Sequence, residues 1–270
     1  MPDNRDVSGL FLAPNRTERP PWERRLLADA SPVRLTAEVS AASWGDGPGR
    51  PVLLVHGWQG RGTQLGQFVA PLVRSGRPVI AVDAPGHGDS PAGRFTPVAF
   101  ADALLRLRDE AGPLDGIVAH SMGAAAVMAA VRGGLRTASL ALIAPMRSFT
   151  DMVGRVGRSL GYPPGTPAGA RYLQLASEAL GRPLAELDLD LDVVRGTPVL
   201  LCHDANDETI PVASTRRVAR DWPGAAYIET TGLGHGGILA DPGVVSAVVR
   251  HISAVGPVTA VGPASTQPRM

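Results

Sequence analysis

Residues 116–132, GIVAHSMGAAAVMAAVR, decide the fold because a short apolar run passes directly into an alanine-rich helical segment. The run GIVAH (116–120) has the length and composition of a parallel strand that is covered on both faces. At the junction, AHSMGA (119–124) places Ser121 between small residues. A sharp strand-to-helix turn needs small neighbours because it brings two backbones close together. The stretch therefore predicts a strained turn that presents the Ser121 hydroxyl, although a serine that only caps a helix fits the same pattern.

The same alternation of strands and helices continues on both sides of this stretch. Ten-to-fifteen-residue helical patterns separate the apolar runs, and this order predicts a doubly wound, mostly parallel α/β sheet. An earlier segment, Val33 to Trp44, also has a strand-like pattern. The apolar runs are PVLLVH (51–56), PVIAVDA (78–84), SLALIAP (139–145), TPVLLCH (197–203) and AAYIET (225–230).

The domain organisation follows from where this alternation is interrupted. The segment between Pro145 and Thr197 is too long for an ordinary connection, and apolar residues recur in it at helical spacing. We therefore expect a helical cap at 147–196, inserted into an α/β core at 31–146 and 197–254. Residues 1–30 are expected to form a loosely attached N-terminal extension, and residues 255–270 a disordered tail.

Charge and cysteine content exclude several classes of function. The chain has 26 basic and 25 acidic residues, a net charge of +1, so nothing favours a nucleic-acid or membrane partner. Cys202 is the single cysteine, which rules out an intrachain disulfide. With neither a signal-peptide pattern nor a long apolar run, the expected location is the cytoplasm, and the expected partner is a small-molecule substrate. The sequence leaves the oligomeric state open.

Two further motifs give this chain its resemblance to a known family. HGW (56–58) follows the first apolar run and DAPGHGDS (83–90) follows the second. Together with AHSMGA, they make the chain resemble the α/β-hydrolase superfamily, in particular its bacterial capped serine hydrolases of the esterase and lipase type. The resemblance covers roughly 50–146 and 197–254 and implies the α/β-hydrolase fold. Ala119 departs from the family's G-x-S-x-G pattern, where the first glycine is expected.

The family's chain order of serine, acid and histidine implies the remaining catalytic residues. His235, in GLGHGG, lies after the last apolar run, at the family's histidine position. Asp207 lies four residues before Pro211 and matches the family's D-x-x-[VI]-P pattern. Asp204 is the alternative acid.

The resemblance also implies the chemistry. His235 would remove the Ser121 proton, Asp207 would orient the imidazole, and the backbone N–H groups of Trp58 and Met122 would bind the oxyanion. This predicts a carboxylesterase-type serine hydrolase that cleaves an ester or thioester of a small, largely apolar substrate through an acyl-enzyme. The same residues also serve C–C bond hydrolysis, perhydrolysis or cyclisation in the family, and a non-catalytic binder is a third reading.

The expected substrate pocket combines the residue before Ser121 with the start of the cap. The candidate pocket residues are His120, Met146, Phe149 and Met152. Arg61 is interpreted as a solvated side chain rather than a substrate ligand.

No cofactor and no metal are expected. The glycines of 232–237 have no room for a nucleotide-binding unit behind them, and the aspartates of 188–192 lack the glycine that a calcium loop needs.

Overall fold

The computed structural model describes residues 1–8, 13–36 and 39–255, with side chains left out for 34–36. Eight strands form one sheet in the order β1-β2-β4-β3-β5-β6-β7-β8. The pairs β1/β2 and β2/β4 are antiparallel and the other five pairs are parallel. The fold is therefore that of an α/β hydrolase, as predicted. The strands are β1 (Ser31–Thr36), β2 (Val39–Trp44), β3 (Val52–Val55), β4 (Val79–Val82), β5 (Gly116–His120), β6 (Leu140–Ile143), β7 (Val199–Asp204) and β8 (Ala225–Thr230).

Successive strand residues point to opposite sides of the sheet, so apolar strands present apolar side chains on both faces. Helices cover each of these faces. Leu53 and Val55 face one hydrophobic cluster, and Val52 and Leu54 face the other. All four are fully buried, which explains why the run is apolar without alternation. The helices are α1 (Asn4–Ser8), α2 (Pro21–Ala28), α3 (Val69–Arg74), α4 (Pro97–Ala111), α5 (Gly123–Arg132), α6 (Phe149–Ser159), α7 (Pro167–Leu180), α8 (Val212–Asp221), α9 (Gly234–Gly237) and α10 (Pro242–Ala254). Short 3-10 helices occupy Gly62–Phe68, Leu184–Leu187, Leu191–Val194 and Ile238–Ala240.

The antiparallel edge differs from the sequence expectation. The segment with a strand-like pattern from Val33 to Trp44 contains a reversal, so that the chain forms the two strands β1 and β2, which pair through Val33 and Ala41. The alternating pattern does not reveal the reversal because both strands keep a strand-like composition.

The segment between β6 and β7 is helical, as the periodicity predicts. It contains α6, α7 and two 3-10 helices. Phe149 and Val153 bury one side of α6, and the rings of Tyr162 and Tyr172 stack with centroids 5.8 Å apart. The Tyr162 hydroxyl donates to Asp6 Oδ2 at 3.2 Å, which joins this segment to α1.

The expectation of a loosely attached N-terminal extension is wrong for α2. Glu23 is 2% exposed and accepts two hydrogen bonds from Arg61, at 2.6 and 2.8 Å. The Trp44 indole N–H donates to the Leu26 carbonyl at 2.9 Å, which fixes the end of the same helix. Arg61 is therefore buried rather than solvated. The prediction failed because charged side chains that pair across distant segments look like solvated residues in the sequence.

The expected disordered tail lies outside the described residues apart from Val255. Within the described ranges, none of the helices has both the length and the hydrophobicity that crossing a bilayer requires.

Candidate active site

Ser121 occupies a strained turn between β5 and α5. Its φ is +55°, in the left-handed region that residues with a side chain rarely adopt. The turn is held because the Ser121 N–H donates to the Ile143 carbonyl at 3.0 Å and the Met146 N–H donates to the Ser121 carbonyl at 3.3 Å. The serine thus lies at the carboxyl edge of the sheet.

Two glycines allow the backbones around Ser121 to approach. A Cβ added at Gly123 would lie 2.5 Å from the His56 carbonyl oxygen, and one at Gly57 would lie 2.7 Å from the Ser121 Cβ. Both distances are shorter than real Cβ contacts, so a larger residue would displace the turn or the loop that faces it. Ala119, on the preceding strand, is fully buried and fits in place of the family's glycine.

Ser121, His235 and Asp207 form a hydrogen-bonded series. His235 Nε2 lies 3.0 Å from Ser121 Oγ, and His235 Nδ1 lies 2.7 Å from Asp207 Oδ2. These are the distances at which an imidazole can accept the hydroxyl proton while a carboxylate holds its other nitrogen. The three residues come from the turn after β5, the loop after β7 and the short helix α9.

Asp207 is buried but held ionised by donors on both oxygens. Burial by itself would raise the pKa of Asp207, but hydrogen bonds from the Ile210 N–H, from His235 and from the Thr209 N–H outweigh it and lower the pKa. The two backbone N–H groups each lie 2.8 Å from Oδ1. The carboxylate is therefore charged at neutral pH and fixed in orientation.

Asp204, the alternative acid, has different partners. Its Oδ2 accepts from the Thr230 hydroxyl at 2.7 Å and from the Leu233 N–H at 3.1 Å, and its Oδ1 accepts from the Gly234 N–H at 3.0 Å. Burial opposes ionisation, but these hydrogen bonds prevail and lower the pKa of Asp204 to about 2. Asp204 therefore anchors the loop that carries His235 rather than the imidazole itself.

Two neutral histidines support the loop that follows β3. His56 donates from Nδ1 to the Gly57 carbonyl at 2.7 Å and accepts the Ala84 N–H at Nε2, at 2.9 Å. His87 Nε2 accepts the Gln59 N–H at 3.2 Å. Burial lowers the pKa of His56 to about 3 and also lowers the pKa of His87. Both rings therefore keep the lone pair that receives a backbone N–H.

The N–H groups of Trp58 and Met122 are free to bind an anion. No acceptor pairs with either of them within the part of the chain that the structure describes. Met122 precedes α5, so its N–H belongs to the positive end of that helix. Met122 directly follows Ser121, and Gly57, the neighbour of Trp58, lies close to the Ser121 side chain. Their role as oxyanion donors stays a prediction.

A cavity of about 330 Å³ opens beside this series. His120, one of the predicted pocket residues, lines it, and the His120 Nε2–H donates to the His235 carbonyl at 3.0 Å. Burial, followed by the charge of His235, lowers the pKa of His120 to about 3, so its ring is neutral. The cavity wall also includes Trp22, Gly57, Trp58, Gln64 and His235.

The other predicted pocket residues do not line this cavity. Phe149 is 2% exposed and packs in the hydrophobic core, whereas Met146 and Met152 are half-buried against it. The spacing could not separate these roles, because helical residues that face a core and those that face a pocket have the same period. A role in substrate binding stays a prediction for Met146 and Met152.

Three features of the site were missed in the sequence. His203 contacts Asp207, Asp204 anchors the histidine loop, and Trp22 reaches the cavity from α2. His203 directly precedes Asp204 at the end of a strand, and this position was the one available signal. Nothing near Trp22 in the sequence indicates that it lies beside His235.

Comparisons with known proteins identify the family of this chain. The family model described as "Alpha/beta hydrolase family" matches residues 52–248. A serine hydrolase-like protein of Danio rerio is 37% identical over 91 residues, a match that spans 32% of this chain and 28% of that protein.

Solved structures share the fold. An esterase from Thermogutta terrifontis is 23% identical, with a TM-score of 0.61 over 84% of this chain and 98% of its own. A 2-hydroxy-6-oxo-6-phenylhexa-2,4-dienoate hydrolase from Rhodococcus sp. strain RHA1 is 16% identical, with a TM-score of 0.58 over 83% of this chain and 97% of its own. The family model covers most of the chain, and the sheet with its strained Ser121 turn at the carboxyl edge is that of an α/β hydrolase. This chain therefore belongs to the alpha/beta hydrolase family.

Proposed function

We propose that this protein is a serine hydrolase that cleaves a carboxylic ester or thioester of a small, largely apolar substrate. The observation that carries the proposal is the series from Ser121 Oγ through His235 to Asp207, with distances of 3.0 and 2.7 Å, at a strained strand-to-helix turn. Binding alone gives no reason to combine a hydroxyl nucleophile at a strained turn, a base and a buried carboxylate in this geometry.

The proposed first step forms an acyl-enzyme. Ser121 Oγ attacks the substrate carbonyl carbon while its proton passes to His235 Nε2. Asp207 stabilises the imidazolium and holds the Nδ1–H tautomer. His235 then returns the proton to the leaving oxygen or sulfur as that bond breaks.

The oxyanion of the tetrahedral intermediate is assigned to the N–H groups of Trp58 and Met122. Each such donor stabilises the transition state by about 3 kcal/mol in serine hydrolases. The neutral rings of His56 and His87 support this role, since they fix the backbone on either side of Trp58. In the second step, His235 removes a proton from water, which attacks the acyl carbon and frees Ser121.

A fluorophosphonate probe and short p-nitrophenyl esters test the proposal. We expect the probe to label Ser121 and the esters to be hydrolysed, and both reactions to be lost in Ser121→Ala. Ser159→Ala is the matched control because Ser159 is exposed at the end of α6 and its hydroxyl donates to the Val156 carbonyl. If Ser121 stays unlabelled and the protein binds the esters without hydrolysing them, the protein is a non-catalytic binder instead.

A substrate panel separates ester cleavage from the alternatives that use the same residues. The panel contains p-nitrophenyl butyrate, a butyryl thioester, a β-diketone for C–C hydrolysis, and acetate with hydrogen peroxide for perhydrolysis. We expect kcat/KM to be highest for the ester or the thioester. Preferential cleavage of the diketone would assign the site to C–C bond hydrolysis.

We also place the enzyme in the cytoplasm. The free, buried thiol of Cys202 is compatible with a reducing compartment, which is what supports this proposal. Fractionation of the source cells with an antibody against the protein tests it.

A further inference from the structure

The geometry points to the cavity of about 330 Å³ beside His235 as the leaving-group site, with Trp22 as the side chain that sets its specificity for an uncharged alcohol or thiol. This inference rests on the proposed function, since it assigns one half of the substrate of that same site.

The position of the cavity identifies the half of the substrate that it holds. Its wall includes His235, which is the group that would protonate the departing oxygen or sulfur. The wall also includes Gly57, whose Cα lies so close to Ser121 that an added Cβ would meet the Ser121 Oγ at 3.2 Å. A leaving group must depart beside its general acid, so the cavity lies on the leaving-group side of Ser121.

The chemistry of the wall defines the ligand class. Among the described residues that line the cavity there is no Asp, Glu or Arg, and the wall consists of tryptophan, glutamine, histidine, leucine, alanine and glycine. The His120 ring is neutral, because burial holds its pKa near 3. A charged leaving group would lose hydration without gaining a partner, which disfavours its binding.

Trp22 is 36% exposed, and its place in the wall depends on how α2 docks. Its ring packs on Gly66, where an added Cβ would lie 2.9 Å from Trp22 Cζ3. The adjacent Glu23 is tied to Arg61 by the two buried hydrogen bonds described above. Trp22 also lies outside residues 52–248, so this wall belongs to the part of the chain that the family model does not match.

Acetate esters that differ only in the alcohol test the inference on the full chain. The series is methyl acetate, phenyl acetate, and phenyl acetates that carry either a carboxylate or a trimethylammonium group. Each kcat/KM is divided by the rate constant for hydroxide-catalysed hydrolysis of the same ester, which removes intrinsic reactivity. We expect the normalised value for phenyl acetate to exceed both charged analogues by about tenfold or more.

Variants of the wall then assign this preference to named residues. Trp22→Ala is expected to lower the normalised kcat/KM for phenyl acetate by about tenfold, with a smaller loss for methyl acetate, and Trp22→Phe to recover most of it. In Gln64→Glu, we expect the ratio of normalised kcat/KM for the trimethylammonium ester to that for the carboxylate ester to be about tenfold higher than in the unmodified chain. Leu160→Ala, which changes an exposed leucine 47% accessible on the segment after α6, is the matched control and is expected to leave all four values unchanged.

The outcomes separate this inference from the proposed function. Complete fluorophosphonate labelling of Ser121 in Trp22→Ala shows that the series is intact, and a leaving-group effect then supports the inference. Equal losses for methyl and phenyl acetate, or no selectivity change in either Trp22→Ala or Gln64→Glu, overturn it. If Trp22→Ala loses its far-UV circular dichroism, Gln64→Glu decides alone. Absence of labelling in the unmodified chain instead contradicts the proposed function.

Discussion

His203 Nε2 lies 3.2 Å from Asp207 Oδ2, the same carboxylate oxygen that accepts the His235 Nδ1–H. The Ile210 carbonyl, 2.9 Å from His203 Nε2, can only accept, so this nitrogen carries the proton. Nδ1 then accepts from the Thr215 hydroxyl at 2.7 Å. Burial lowers the pKa of His203, so the ring is neutral. Its single Nε2–H is shared between the Ile210 carbonyl and Asp207 Oδ2.

Replacing His203 with Phe is expected to move the acid limb of the pH profile to higher pH. Without the His203 N–H, Asp207 interacts more strongly with the protonated form of His235, so the base is blocked at a higher pH. We expect a shift of about half to one pH unit, measured from kcat/KM for p-nitrophenyl butyrate. Thr215→Val is the control because it keeps the Nε2–H. A fall in kcat without a shift of the limb would reduce His203 to a packing role.

The two aspartates near the loop are expected to differ in what they affect. Asp207→Asn should lower kcat by about 10⁴-fold, because it favours the wrong imidazole tautomer. Asp204→Asn should lower the free energy of unfolding by about 1–3 kcal/mol, because the backbone N–H groups of Leu233 and Gly234 lose their charged acceptor. Steady-state kinetics and urea titration check the two effects. The reverse pattern would assign the acid to Asp204.

The stability of the protein is expected to fall as the pH drops from 6.5 towards 3. Burial lowers the folded-state pKa values of His56 and His120 to about 3. Between pH 6.5 and 3 these two side chains therefore bind protons when the chain is unfolded but not when it is folded. Each histidine should cost about 1.4 kcal/mol of stability per pH unit in that window. Urea midpoints at pH 7, 6 and 5 measure the slope. In His120→Gln the loss of stability per pH unit should be smaller by the contribution of one histidine, about 1.4 kcal/mol. An unchanged slope would contradict the lowered pKa of His120.

Breaking the buried ion pair of α2 is expected to destabilise the protein strongly. Glu23→Gln leaves the Arg61 guanidinium buried without its counter-charge, a change that costs about 3–5 kcal/mol in other proteins. The double variant Glu23→Met with Arg61→Met should recover part of this loss because no charge remains buried. The free energy of unfolding in urea measures both. Equal stability of Glu23→Gln and the unmodified chain would mean that water reaches Arg61.

The regular elements were predictable because their signals are local. The apolar runs at 78–84 and 225–230 contain β4 and β8, since turn-forming residues mark their ends. The residues that the structure brings around Ser121 were also identified, because the motif order of the family fixes the loops from which they come. The catalytic role of those residues stays a prediction.

Features that depend on distant pairing could not be read from the sequence. Glu23 and Arg61 are separated by 38 positions, and neither has a local pattern that indicates burial. The contact between Trp22 and Gly66 depends in the same way on how α2 docks. The role of Asp204 was equally hidden, because its four acceptor contacts include backbone groups that only the folded loop presents.

The docking of α2 also sets the limits of any shortened version of this enzyme. A recombinant fragment cut to the matched residues 52–248 would keep Ser121, Asp207 and His235. It would lack Glu23 and the Thr17 hydroxyl, which accepts from Arg61 at 2.9 Å. It would also leave Gly66 uncovered and remove residues 249–254, almost half of α10. A shortened chain for crystallisation or directed evolution should therefore begin upstream of Thr17 and extend to at least Val255.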